Sequence, residues 1–159
     1  MMFRIIELNE TDIAQAVQIW QNGWHDAHAS IVPKELVELR TSESFLQRLR
    51  EHSANTRIGT SDGEPLGLCI TEGDELYQMY VSPKARGLGL AQALMVDAED
   101  RLRSAGHSSV WLKCAVGNDR AARFYAKCGW TNAGTRTVEL DTTDGVFPLQ
   151  IWRFEKTLI

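Results

Sequence analysis

Val81–Leu94, "VSPKARGLGLAQAL", is the stretch that decides how the chain reads. An apolar run, Leu76–Tyr80 "LYQMY", leads into it, and Pro83 closes that run. Arg86, Gly87 and Gly89 follow, and an amphipathic pattern begins directly after them, with Leu94, Met95, Ala98 and Leu102 on one helical face. Flexible backbone and a cation therefore sit between a strand and a helix. A helix start leaves backbone N–H groups without partners and is the positive end of the dipole. Glycine lets that backbone approach a ligand with no Cβ in the way. Together they make an anion site, and the guanidinium of Arg86 adds a fork of donors suited to phosphate oxygens. A plain strand-to-helix turn with a solvated arginine accounts for the same residues equally well, so the turn alone does not choose.

Two phosphate-binding templates fail here. No Gly-Lys-Ser/Thr triplet follows, as a Walker A loop needs. A dinucleotide fingerprint counted from Gly87 and Gly89 meets Gln92 at its third position. What remains is Arg86-x-x-Gly89-x-Ala91.

Outward from this turn, the elements alternate. "FRIIEL" predicts a first strand, and "NETD" offers caps for a helix carrying Ile13, Val17, Trp20 and Trp24 at helical spacing. "GWHDAHAS" is expected as the loop after that helix. "VPKELVELRTSESFLQRLREH" continues helically, with a break near Thr41 to Ser44. "TRIGTSDGEPLGLCITE" predicts a hairpin turning at Asp62-Gly63. Beyond the central helix, "SSVWLKCAV" is nearly continuous apolar, as a buried strand is, and "NDRAARFYAKCGW" is a short helix ending at Gly129. "AGTRTVEL" and "VFPLQIWRFEKTL" are two strands joined by "DTTDG". The order β-α-α-β-β-β-α-β-α-β-β contains one central β-α-β unit, so part of the sheet is expected parallel and the hairpins antiparallel. The fold class is mixed α/β, with helices layered on a sheet.

Composition sets the outer bounds. At 159 residues the chain is expected to be one domain, 1–159, with room for a sizeable core. A net charge of −4 argues against nucleic acid as a partner, because phosphate neutralisation needs a basic surface. No apolar run reaches the length of a membrane span and the N-terminus lacks a signal-peptide layout. Cys69, Cys114 and Cys128 show no CxxC spacing, which fits a cytoplasmic location, no disulfides and small buried hydrophobes.

At this point the sequence resembles the GNAT superfamily of N-acetyltransferases. Its R/Q-x-x-G-x-G/A motif matches Arg86, Gly89 and Ala91; "ELYQMYVSP" looks like the family's fourth strand, and "GNDRAARFYAKCGW" like its second signature region. The resemblance is strong from about Glu75 to Trp130 and looser to both ends. It implies a GNAT-like, mostly antiparallel mixed sheet with a central parallel β-α-β unit and helices on both faces. It further implies transfer of an acetyl group from acetyl-CoA, the cosubstrate, to an amine. By position, the backbone of Arg86, Gly87, Leu88, Gly89, Leu90, Ala91 and Gln92 would hold the pyrophosphate. Edge groups of Met79, Tyr80 and Val81 would pair with the pantetheine arm in the manner of an added strand. Asn118 would hydrogen-bond nearby, or cap a helix, or both. Tyr125 matches the family's general acid: a phenol with a reference pKa of ~10 keeps a proton to give to the leaving thiolate.

The acceptor side carries no motif. Family members that acetylate protein N-termini often place a glutamate on the fifth strand, where this chain has Lys113. A small-molecule primary amine is therefore the first expectation. The alternatives are a protein or peptide amine, and a non-catalytic acyl-CoA-binding module. Trp24, His28, Glu75 and Tyr77 are the substrate-side candidates, set against plainer readings as core, solvated or strand-end residues. His25, Asp26 and His28 lack a further ligand for a metal, and none is expected. Lys84, Arg123 and Lys127 lie where a 3′-phosphate could pass, but charge on a helix face is usually solvated, so none is assigned. The apolar final strands suggest a homodimer, since an exposed apolar edge is a liability.

Overall fold

The computed structural model describes residues 2–159. Seven strands form one sheet in the order β1-β2-β3-β4-β5-β7-β6. They are β1 (Arg4–Glu7), β2 (Thr56–Ser61), β3 (Glu64–Glu72), β4 (Glu75–Val81), β5 (Ser109–Ala115), β6 (Thr131–Thr142) and β7 (Gly145–Thr157). All neighbours pair antiparallel except β4 and β5, which are parallel and are connected through helix α4 (Leu90–Ser104). That is the expected β-α-β unit, and the mixed α/β class stands.

The alternation of each strand divides the core between the two sheet faces. On one face α1 (Ile13–His28), α2 (Lys34–Leu39) and α3 (Ser42–Glu51) cover Ile58, Leu68 and Ile70 with Trp20, Leu36, Phe45 and Leu49. On the other, α4 and α5 (Asp119–Lys127) cover Leu66, Cys69, Leu112 and Cys114 with Leu90, Leu94, Ala98 and Leu102. The face expected for α4 (Leu94, Met95, Ala98, Leu102) is buried throughout. The β2–β3 turn falls at Asp62-Gly63, where φ is +50° and +80°, the pairing of positive angles that a two-residue hairpin needs.

One local expectation changes. His25 and His28 do not follow the first helix; they form its last turn. Nothing in "GWHDAHA" stops a helix, and histidine suits the negative end of the dipole. The segment after it breaks where expected, near Thr41, which caps α3 with its side chain accepting from Ser44 N–H.

Two devices open the sheet in its middle. β4 carries one extra residue against β3: Ile70 faces Gln78 while Thr71 faces Leu76, which leaves Tyr77 as the bulge. Bulges bend a strand and raise its twist. Beside it, β4 and β5 share one register pair, Glu75 with Trp111, before they part. Here Trp111 donates its backbone N–H to Asp74 O (3.2 Å) and its indole N–H to Asp74 Oδ1 (2.9 Å).

A cleft between splayed strands

The free edge of β4 follows from its pairing with β3. Ser82 N–H donates to Leu66 O at 2.7 Å, which makes Ser82 and Leu66 a hydrogen-bonded pair. Orientation alternates along the strand, so Tyr80 and Gln78 also turn their backbone groups toward β3. The N–H and C=O of Met79 and Val81 then face the gap where β5 has departed. Of the three residues expected along this edge, two present backbone and the third, Tyr80, presents its ring. That ring lies against α1 so closely that a Cβ on Gly23 would stand 2.6 Å from Tyr80 Cδ1.

A cavity of about 930 Å³ fills the gap and runs out over the start of α4. Its walls include Met79, Tyr80 and Val81 on β4, and Arg86, Gly87, Gly89, Leu90, Ala91 and Gln92 on the turn. Gly87 and Gly89 have φ of +74° and +93°, and a Cβ built on either would meet nothing within 4 Å. The glycines are thus needed for conformation, and the space above them is open. The first hydrogen bond of α4 runs from Ala93 N–H to Gly89 O, and no side chain caps this end. The N–H groups of Leu90, Ala91 and Gln92 have no helical carbonyl to donate to. Leu88 stands apart from the other turn residues: it points away from the cavity, half-exposed, and its N–H already donates to Ala85 O at 3.3 Å. Arg120 and Lys127 line the opposite wall; of these the sequence pattern raised only Lys127. Lys84 is engaged elsewhere, with Glu64 at 3.0 Å.

A second, smaller cavity of about 180 Å³ opens on the α1 side of β4. Trp24, His28 and Tyr77 line it, as do Arg40, Arg48 and Lys113. The two cavities share Met79, Tyr80, Asn118, Ala121 and Tyr125. Asn118 caps α5, its Oδ1 accepting from Ala121 N–H, and this leaves its amide NH₂ free. Burial raises the Tyr125 phenol well above its ordinary value. It therefore stays protonated through any physiological pH.

His28 is 8% exposed and stacks on Trp24, with ring centroids 4.9 Å apart. Its Nδ1 lies 2.8 Å from Trp24 O. A carbonyl only accepts, so Nδ1 carries the proton and Nε2 keeps its lone pair. Burial lowers the imidazole pKa, against the opposing pull of that carbonyl, with Arg40 and His25 lowering it further. The neutral form thus prevails at pH 7. His25 turns away to Arg40 O at 3.0 Å.

Glu75 lines neither cavity and is not a solvated strand end. It is 8% exposed, with Oε2 3.4 Å from Lys113 Nζ. Burial raises its carboxyl pKa and the lysine opposes the rise. The side chain that reaches the cavity is its partner, Lys113.

The profile of the Acetyltransferase (GNAT) family matches residues 16–130. The chain belongs to this family. An uncharacterized N-acetyltransferase of Mycobacterium tuberculosis is 34% identical over 105 residues, which is 63% of this chain and 67% of the relative. The GCN5-related N-acetyltransferase of Rhodopseudomonas palustris superposes with a TM-score of 0.79 at 22% identity, covering 99% of this chain and 97% of that one. The PaiA N-acetyltransferase of Thermoplasma acidophilum, solved with coenzyme A, gives 0.73 at 19% identity, with 99% of each chain covered. At such identities the structural likeness speaks for the GNAT fold; membership of the acetyltransferase family rests on the profile and the mycobacterial relative.

Proposed function

We propose that this chain, acting as one domain over residues 1–159, moves an acetyl group from acetyl-CoA to the primary amine of a small molecule by direct attack. The observation that carries this reading is the meeting of a long cleft and a small pocket at Tyr125 and Asn118.

The cleft fits the cosubstrate. Unpaired amides of Leu90, Ala91 and Gln92, open glycine backbone at Gly87 and Gly89, and the exposed Arg86 suit the oxygens of a diphosphate. Arg120 and Lys127 add positive charge across the cleft. The edge groups of Met79 and Val81 suit the amides of the pantetheine arm. When bound, acetyl-CoA supplies an activated carbonyl and a thiol leaving group. Tyr125 holds its proton and donates it toward the departing sulfur. His28 Nε2 accepts a proton from the acceptor ammonium, which frees the nucleophilic lone pair.

Size supports a small acceptor. The α1-side pocket, at about 180 Å³, is roughly a fifth of the volume of the cleft. Protonated Tyr125 and neutral His28 at the pocket favour an enzyme over a passive acyl-CoA-binding module. A cytoplasmic location suits the three free thiols. A homodimer through the outer edge of β6 belongs to the proposal as well, and sedimentation tests it. The final hairpin is less apolar outside than the sequence suggests, because Leu140 of β6 and Phe147 and Leu149 of β7 pack against the α1-side core.

The test mixes protein, acetyl-CoA and a panel of amines and follows free thiol. Turnover with small amines is expected. Calorimetric binding of acetyl-CoA with no thiol release on any amine would move the reading to the binding module.

A further inference from the structure

Two guanidinium groups stand in the small pocket without an anion. Arg40 ends α2 and is 4% exposed. Its Nη1 donates to Asp141 O at 2.9 Å, and its Nε is buried with no partner. Arg48, on α3, donates from Nη2 to Tyr77 Oη at 3.1 Å, and its Nη1 is likewise buried and unpartnered. Among the described residues, no carboxylate lies within ion-pair distance of either. The third cation of the wall, Lys113, is neutralised by Glu75.

Burying a charge without a counter-ion is costly, and proteins ordinarily pair it. Arg48 has partial compensation, its guanidinium carbon 4.6 Å from the Trp20 ring centroid. Arg40 has none of that kind. Burial, with Arg48 beside it, lowers its pKa to about 10, so Arg40 remains charged at neutral pH. The missing counter-ion is the main unexplained feature of the pocket.

We propose that Arg40 and Arg48 form a carboxylate-binding site, so that the acceptor is a small amine that also carries a carboxylate. This rests on the acetyl-transfer reading above. A planar carboxylate matches the guanidinium fork and returns the missing charge. Glu139 and Asp141 on β6 line the same pocket. They disfavour a phosphate dianion more than a carboxylate, and they suit the ammonium end of a zwitterion.

The test compares matched acceptors: glycine, β-alanine and 4-aminobutanoate against their carboxamides, with phosphoethanolamine as a further arm. Thiol release on the wild-type enzyme is expected to show kcat/KM about 10- to 100-fold higher for the carboxylates, the scale of one or two charge-assisted hydrogen bonds. Arg40→Met and Arg48→Met should remove that preference, raising KM for the carboxylates by more than for the carboxamides. Equal rates for acids and amides, or a preference for phosphoethanolamine, would overturn the proposal. The wild-type comparison needs no variant, so misfolding of Arg40→Met leaves the test intact. Binding is read separately, from the Nε–H NMR signals of Arg40 and Arg48 on titrating 4-aminobutanoate. Saturable shifts without turnover would sink acetyl transfer and keep the carboxylate site. Turnover of amines without such shifts would do the reverse.

Discussion

Glu75 and Trp111 form the single register pair between β4 and β5 among the described residues. Beyond them the bulge at Tyr77 turns β4 away, and the backbone of Met79 and Val81 is left facing a cavity. The cleft is therefore a defect in a sheet, held open by pairing that stops early.

Amide hydrogen exchange reads this directly. The N–H groups of Met79 and Val81 should exchange faster than those of Gln78 and Tyr80, which pair with β3. Acetyl-CoA should protect the first two by tenfold or more and change the second two little. Equal rates in all four, with no response to ligand, would rule out the strand-like docking.

Tyr125→Phe removes a hydroxyl and keeps the ring that packs near Phe154 at 5.8 Å. Fold and acetyl-CoA affinity should stay as they are. Turnover should fall by roughly 10²-fold, the low end for loss of a general acid. A variant with wild-type kcat would take the role from this residue.

The pH dependence follows from His28 and Tyr125. Burial holds the His28 pKa below 6.5, so kcat should rise from the acid side with a midpoint under that value. The raised phenol adds no alkaline fall near its ordinary 10.0. His28→Gln should lower the plateau and abolish the acid limb; an unchanged limb would point to another base. Folding is linked to the same group. With the folded pKa depressed, the stability His28 contributes is present above pH 6.5 and is lost as pH falls through the folded value.

Gly89→Ala tests the turn. At φ +93° an L-residue is strained by roughly 1–2 kcal/mol, although a Cβ there has free space. The expected result is a small fall in thermal midpoint and a weakening of acetyl-CoA binding by about tenfold, as the helix start shifts to relieve strain. Unchanged affinity by calorimetry would show that this backbone does not bear on the ligand.

The elements themselves were legible, because periodicity and breakers are local. The α4 face, the Asp62-Gly63 turn and the Arg86–Ala91 motif all stand where the sequence puts them. His28 was misread as a loop residue, since no residue type marks a helix end when Gly and Pro are absent. Glu75 was misread because its partner Lys113 is far along the chain, and an ion pair across two strands leaves no periodic trace. Arg40 and Arg48 were missed outright, since they read as surface charge on short helices.

The sequence by itself determined the order of strands and helices, the family, and the glycine turn. Each of these rests on conformational limits within a few neighbouring residues. Only the tertiary structure decided where β4 and β5 part, that Tyr125 stands between two cavities, and that Arg40 and one guanidinium nitrogen of Arg48 are buried without an anion. Those facts depend on which distant segments exclude water from one another, and burial is a property of the packed chain rather than of any stretch of it.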